Sequence, residues 1–289
     1  MGDVTTSSPI SHVSDTARWV ALYRAMESER PDALFRDPYA RRLAGELGEE
    51  IVRALPNGRT WAWPMIVRTA VMDELILHAV THDEVDAVVN LAAGLDARPY
   101  RLPLPPALHW IEADFPDVIA YKEAQLGSER PVCALERVGV DLSDAAQRCA
   151  FLSNVRARHA GLVITEGLLI YLTAEIVAAI ADDLHANRAF HYWLMDLGGR
   201  RLLKMLARTW GNALARGNAP FRFAPAEGTG FFAPHGWREA EYRSIWDESI
   251  RLDRSVRFAR FWQLVGRLAP RAKREEWRRT SGVVLLERG

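Results

Sequence analysis

Acidic side chains close several apolar runs in the middle of this sequence: Asp114 after LHWIEA, Asp141 after a run ending at Val140, and Glu166 at the end of GLVITE. Glu112 competes with Asp114 from two residues earlier on the same strand face. An acid at a strand end is often a helix cap or a solvated edge, and for Asp141 beside Ser143 that reading stands equally well. Glu166 is different, because the run LVITEGLLIYL surrounds it with apolar residues, so its charge must be paired, hydrogen-bonded or open to a cleft. Acids at several matching strand ends are better explained by one shared polar ligand. Asp114 lies twenty residues after Gly94, near the spacing at which an acid meets ribose hydroxyls in nucleoside-binding sheets. The turn carrying Gly94, Asn90-Leu91-Ala92-Ala93-Gly94-Leu95-Asp96, has a single glycine and allows less close backbone approach than a phosphate cradle needs. These residues fit a nucleoside without phosphate, such as an adenosyl group, and disfavour a dinucleotide. A lone glycine is by itself more often a tight strand-to-helix turn. Arg68 adds a cation: on a helical wheel of 64–79 it falls within the apolar arc of Met65, Val71, Met72, Leu75 and Ala79, where a guanidinium must meet an anion. That anion is either a carboxylate of the protein or one on a ligand.

The elements that must position these groups follow from periodicity. Trp19, Leu22, Tyr23 and Met26 give one apolar helical face after a possible Ser14 cap, Asp37-Pro38 opens a second helix, and a third runs from about Pro64 to Ala79. From Val85, short apolar runs alternate with helical segments, the signature of a parallel sheet. The strands expected are 85–91, 108–113, one ending at Val140, 161–166 and 190–197, with Pro116, Ser143-Asp144 and Thr173 opening the intervening helices. A helix at about 199–215, a Gly/Pro-rich loop at 217–236 and strands at 237–245 and 281–288 complete the chain, the last two as an antiparallel addition at one sheet edge. Between them Phe258, Phe261, Trp262, Val265 and Leu268 share a helical face, and Arg254, Arg257 and Arg260 form a basic stripe read as solvated.

Composition bounds the rest. The 289 residues carry 37 basic and 37 acidic side chains, a balance that argues against general nucleic-acid binding. Half of the chain is apolar, enough to fill a globular core. No run approaches the roughly 20 apolar residues that span a bilayer, and MGDVTTSSPISHV lacks a secretory pattern, so a cytoplasmic protein without membrane contact is expected. Cys133 and Cys149, assigned to a buried strand and the next helix, read as reduced structural thiols, and no cysteine metal cage is possible.

The stretches SDTARWVA (14–21), ESERPDALFRDPYARRL (27–43), VNLAAGLDARPYRL (89–102), IEADFP (111–116), VDL (140–142) and TEGLLIYL (165–172) resemble the leucine carboxyl methyltransferase family, within it the bacterial O-methyltransferases of polyketide pathways. The resemblance implies a seven-strand Rossmann-like α/β sheet, mostly parallel with an antiparallel edge strand, plus N-terminal helices and a lid. With no Pro/Gly/Ser linker or low-complexity block to divide it, the chain reads as a single domain over 1–289: a helical cap at 1–80, a cofactor-binding core at 85–197, a lid and acceptor region at 198–236 and closing elements at 237–289. The implied cofactor is S-adenosylmethionine. Carried over by position, Arg68 holds its carboxylate, Gly94 lies against the methionyl and ribose portion, Asp114 binds ribose, Asp141 and Leu142 frame adenine, and Glu166 faces it from the fourth strand. The lysine in the N-terminal helix of the protein-methylating branch has no clear match around Thr16 to Arg18; Thr16 is carried over there as a cofactor-binding residue, and Tyr171 matches a tyrosine near the acceptor. Ser143 stands where that branch has an arginine clamping the acceptor carboxylate, which disfavours a protein C-terminus as acceptor.

Methyl transfer needs a nucleophile held about 3 Å from the methyl carbon in a site closed to water. A carboxylate needs no base; a phenol or alcohol benefits from one, for which His235 and His191 are the candidates. His78 and His82 have metal-ligand spacing but lack a third ligand nearby and read as a helix end. The leading expectation is O-methylation of a carboxyl or hydroxyl group on a small, polyketide-like molecule. The alternatives are a protein C-terminal carboxyl methyltransferase, a nicotinamide-dependent oxidoreductase on the same class of sheet, and a non-catalytic module meeting an acidic partner through the 254–267 helix.

Overall fold

A computed structural model describes residues 12–216, 220–266 and 268–289. Residues 1–11 of the stretch read for a secretory signal and residues 217–219 of the Gly/Pro-rich loop lie outside the described residues. In chain order the elements are α1 (Thr16–Ser28), α2 (Ala40–Ala54), α3 (Trp63–His82), β1 (Val85–Leu91), α4 (Arg98–Arg101), β2 (His109–Asp114), α5 (Pro116–Leu126), β3 (Ala134–Gly139), α6 (Ala145–Asn154), β4 (Ala160–Thr165), α7 (Ala174–Ala186) and β5 (Phe190–Gly198). They continue with α8 (Arg200–Arg216), β6 (Trp237–Ser244), α9 (Ile245–Arg251), α10 (Ala259–Gly266), α11 (Arg271–Arg278) and β7 (Ser281–Arg288).

The seven strands form one sheet in the order β3-β2-β1-β4-β5-β7-β6. β1 to β5 run parallel, and β7 is antiparallel to both β5 and β6, so β6 forms the outer edge. Strand order reverses between β1 and β4, which opens a crevice at their carboxyl ends, the usual ligand position in such sheets.

Side-chain alternation decides which layer each strand residue joins. Val89, Ile111, Val163 and Met195 pack with Leu152 of α6 and Val177, Ile180 and Leu184 of α7. Val88, Trp110, Leu162 and Leu194 face the other way onto Val67, Val71, Leu75 and Ile76 of α3. Burying one such aliphatic side chain stabilises the fold by about 1.5–3 kcal/mol, so each layer is held by many comparable contributions. A separate cluster of Trp19, Leu22, Tyr23, Leu43 and Ile51 with Leu95, Tyr100 and Trp210 lays α1 and α2 over the loop after β1. The helical N-terminus thereby becomes a wall of the crevice.

Local signals decide where the helices begin. Asp144 caps α6 by accepting from the Ala146 and Gln147 N–H groups, Thr173 caps α7, and Pro116 is the first residue of α5. Ser14 does not cap α1. It sits in a short 3-10 turn at Val13–Asp15 with its hydroxyl 2.8 Å from His12 Nδ1, and the helix begins after it. Asp37 accepts from Arg24 Nε at 2.9 Å through Oδ2 and from Tyr39 N–H at 3.2 Å through Oδ1, and α2 starts three residues later. Both cysteines are free: Cys149 is on α6, as expected, and exposed, and Cys133 is buried just ahead of β3 rather than in it.

The basic stripe expected to be solvated is divided. Arg254 is buried and reaches back to α1, donating from Nε and Nη2 to Glu27 at 3.0–3.1 Å, whereas Arg257 and Arg260 are exposed. The apolar residues of the same segment are also largely exposed, because α10 lies beside the crevice rather than on the sheet.

Candidate active site

A cavity of about 1470 Å³ opens along the carboxyl ends of the parallel strands. Its strand-end part is lined by Gly94 after β1, Asp114 at the end of β2, Asp141 and Leu142 after β3, Glu166 and Gly167 after β4 and Asp196 near the end of β5. Arg68 of α3, Thr16 of α1 and Tyr171 close it from above, and Trp61, Trp63, Trp210 and Phe221 wall the part farther from the sheet.

The turn after β1 is tied to β2 through a carboxylate. Gly94 N–H donates to Asp114 Oδ2 at 2.6 Å and Phe115 N–H to Oδ1 at 2.7 Å. Gly94 has φ +49°, which costs a residue with a side chain about 1–2 kcal/mol, and a Cβ there would sit 3.2 Å from the Ala17 methyl of α1. The backbone conformation and the contact with α1 both call for glycine here. Burial pushes the Asp114 carboxyl above its ordinary value, an effect its two backbone N–H bonds only partly offset. Each of its oxygens keeps a lone pair for a further donor. Asp141 is arranged similarly, with Oδ1 accepting from Ser143 N–H at 2.8 Å and from the Ser143 hydroxyl at 2.6 Å.

At the carboxyl ends of β4 and β5 lies a buried charge network. Glu166 accepts from Arg68 Nε at 3.0 Å and from Arg98 Nη1 at 2.7 Å. Asp196 accepts from Arg68 Nη1 at 3.0 Å and from Gly167 N–H at 2.6 Å. Arg98 also holds Asp73 at 2.6 Å and Asp96 at 2.8 Å, and Arg101 shares Asp73. Burial alone would raise Glu166, but Arg98 and Arg68 outweigh it and hold the carboxyl below the ordinary range. Asp96 is held low for the same reason, chiefly by Arg98. Such a network is costly to desolvate and rigid once satisfied, so it fixes Arg68 with little freedom. Arg68 thus meets the protein's own carboxylates through Nε and Nη1, and its Nη2 has no partner among the described residues.

The Tyr171 hydroxyl hydrogen-bonds Thr16, and its ring lies 5.6 Å from Phe221 at a tilt of 31°. Burial raises the Tyr171 phenol above its ordinary value, which already leaves it protonated at neutral pH.

This geometry fits a sheet that binds a nucleoside without phosphate, and comparison with known proteins gives the family. The family model for leucine carboxyl methyltransferase matches residues 17–185, more than half of the chain. The chain belongs to the leucine carboxyl methyltransferase family. A Streptomyces coelicolor protein described as a "Putative S-adenosyl-L-methionine-dependent methyltransferase" is 32% identical over 262 residues, covering 85% of this chain and 90% of its own. A Mycolicibacterium gilvum relative with the same description is 37% identical over 62% of this chain and 64% of its own. Among solved structures, a DUF574 family protein from Streptomyces avermitilis has TM-score 0.65 at 12% identity, covering 98% of this chain and 99% of its own. A Thermobifida fusca structure described as a "putative methyltransferase" has TM-score 0.57 at 11% identity and covers 99% of each chain. These two share the fold. The chain is an S-adenosylmethionine-dependent methyltransferase with the seven-strand Rossmann-like sheet of that class.

In this methyltransferase the cavity gathers Thr16, Arg68, Gly94, Asp114, Asp141, Leu142, Glu166 and Tyr171. It does not gather His235, whose Nδ1 lies 2.7 Å from Asp182 on α7, behind the aromatic cluster of Phe231 and Phe232. His191 is the second residue of β5, at the amino end of that interior strand and outside the cavity lining, with Nδ1 3.1 Å from the Ala189 carbonyl. Glu112 is fully buried between Lys122 at 2.7 Å and Arg137 at 3.0 Å, a structural pair away from the cavity. His78 and His82 stack on each other at a helix end, and no cluster of metal-binding side chains occurs among the described residues. Two residues escaped the sequence reading. Asp196 closes the fifth strand as Asp114 closes the second, so the rule that selected the other acids would have found it. Arg98 carried no such signal, since only the fold buries it between three carboxylates.

Proposed function

We propose that this enzyme is an O-methyltransferase whose acceptor is the carboxylate of a small, largely apolar molecule of polyketide type. The observation that carries this reading is the two-part cavity: polar at the strand ends, aromatic beyond them, and larger than the roughly 300–1,000 Å³ of an ordinary single-ligand pocket. It has room for a cofactor and an acceptor side by side. Arg222, Arg271 and Arg274 line its outer part with guanidinium groups that have no partner among the described residues, and a guanidinium fork matches a carboxylate. The family description itself names a carboxyl group as acceptor. Ser143, occupied by Asp141, favours a small molecule over a protein C-terminus.

The strand-end residues fit S-adenosylmethionine. The unpartnered Arg68 Nη2 would take its carboxylate, Asp114 its ribose hydroxyls, Gly94 the close approach of its ribose and methionyl chain, and Asp141 with Leu142 its adenine. Glu166 supports this set by clamping Arg68 in place. When bound, the cofactor supplies an electrophilic methyl on a sulfonium. The Tyr171 hydroxyl, steadied by Thr16, orients the acceptor, and the tryptophan walls exclude water from the nucleophile. A carboxylate acceptor is ionised at neutral pH, so no side chain has to remove a proton.

The test is methylation of a panel by the purified protein with methyl-labelled cofactor: hydrophobic aromatic carboxylic acids, the matching phenols, and a peptide ending in leucine. A base-labile methyl ester on the small acids is expected. Base-stable ethers from the phenols alone, or esterification of the peptide alone, would overturn the carboxylate or the small-molecule part respectively.

A further inference from the structure

No helix among the described residues is long and apolar enough to cross a membrane, yet one segment has the character of a helix that lies on one. Residues 256–274, VRFARFWQLVGRLAPRAKR, contain six basic residues and no acidic one, in a chain whose basic and acidic residues are equal in number overall. Within it Phe258 is 64% exposed, Phe261 57%, Leu264 60% and Leu268 87%. Exposed side chains of this size are not scattered here but follow one another along α10 and its flanks. Around them stand exposed Arg257, Lys273 and Arg260, the last 3.4 Å from exposed Asp253, with Arg271 and Arg274 at the cavity mouth beside them. Arg257 lies over the Phe258 ring at 5.1 Å and Lys273 over the Trp277 ring at 5.5 Å. An apolar ridge of Phe, Trp and Leu bordered by cations is the composition of interfacial helices, whose rings enter the headgroup boundary while the cations meet anionic headgroups.

We propose that the 256–274 segment docks this protein onto an anionic lipid surface. The charge pattern selects that occupant: a second copy would set the same basic ridge against itself, like charge facing like charge, and an acidic protein would leave the outward Phe258, Phe261 and Leu268 unexplained. The position of the ridge adds to this. Trp262, Gln263, Val265 and Gly266 of α10 line the cavity while their neighbours Phe261 and Leu264 face outward, so docking brings the cavity mouth to the membrane. An apolar ligand dissolved in the bilayer would then reach the cavity without crossing water. The inference concerns the surface alone and stands whichever group is methylated.

The test is sedimentation of the full chain with vesicles of phosphatidylcholine, with and without one third phosphatidylglycerol. Binding is expected to the anionic vesicles, to weaken as salt rises, and to be weak on phosphatidylcholine alone. In the variant Phe261→Ser/Leu264→Ser/Leu268→Ser it should fall at least tenfold, and in Arg257→Glu/Arg260→Glu by roughly fivefold or more per charge removed. Both variants alter exposed residues, and circular dichroism with cofactor titration reports whether they are folded. A folded triple variant that binds like the parent, or a parent that ignores anionic vesicles, overturns the proposal. Concentration-dependent dimerisation lost in the triple variant, without vesicle binding, overturns it in favour of a second copy.

Discussion

Arg68→Lys separates the two tasks assigned to this side chain. Arg68 donates from Nε to Glu166 and from Nη1 to Asp196, both at 3.0 Å, and offers Nη2 to the cavity. A lysine keeps the charge but has a compact ammonium in place of a planar fork, so it cannot serve all three directions. Neither carboxylate is orphaned by the change: Glu166 retains Arg98 at 2.7 Å and Asp196 retains the Gly167 N–H at 2.6 Å. The stability loss should therefore equal about one charged hydrogen bond, ~1.5–3 kcal/mol, rather than the ~3–5 kcal/mol of a stranded buried charge. Loss of the bond to the cofactor carboxylate has the same magnitude and raises the Kd for S-adenosylmethionine about 10- to 150-fold. Calorimetric titration measures this, with 5′-methylthioadenosine as control because it has the nucleoside and lacks the carboxylate. Its affinity should change by less than about twofold, a difference of only ~0.4 kcal/mol. An equal loss for both ligands would show that Arg68 acts only by holding the fold, and an unchanged Kd for S-adenosylmethionine would refute the assignment of Nη2.

Other expectations follow from the same geometry. Ionised Asp114 is the form that accepts ribose hydroxyls, so cofactor binding should weaken as pH falls, beginning above the pH expected from the ordinary aspartate value of 3.8 because burial raises this group. Asp114→Asn should flatten that pH profile and lower affinity throughout. Gly94→Ala forces a side chain into positive φ against Ala17 and should cost about 1–2 kcal/mol in urea unfolding while weakening cofactor binding. Lys122→Met removes one of the two cations on fully buried Glu112 and should destabilise the protein by up to about 3–5 kcal/mol, less to the extent that Arg137 compensates. His235→Gln should leave the Kd for S-adenosylmethionine within about twofold, since its pair with Asp182 lies off the cavity.

The acids at the strand ends show how far the sequence could be read. Asp114, Asp141 and Glu166 were legible because an apolar run of strand length fixes where its end must fall, and parallel strands bring those ends to one edge. Glu112 and Asp114 share a face in any two-residue period, so periodicity could not choose between them. The tertiary structure did: Glu112 lies within β2, where Lys122 of α5 and Arg137 of β3 enclose it, whereas Asp114 stands where the strand ends and meets the Gly94 N–H.

Charge and amphipathicity left more undecided. The wheel showed that Arg68 needed an anion, but Asp196, 128 residues away, is brought to it only by the sheet. Arg254 and Arg257 are three residues apart in one basic stripe, and only the return of the chain to α1 buries the first against Glu27 and leaves the second exposed. His235 looked as fit for catalysis as any histidine until the loop before β6 turned it toward α7. Local pattern determined the elements, their order and the chemical type of the ligand, because these depend on neighbours within a few residues. Which side chains face the cavity, which neutralise one another and which face outward was decided by contacts between residues far apart in sequence, and no period or spacing encodes those.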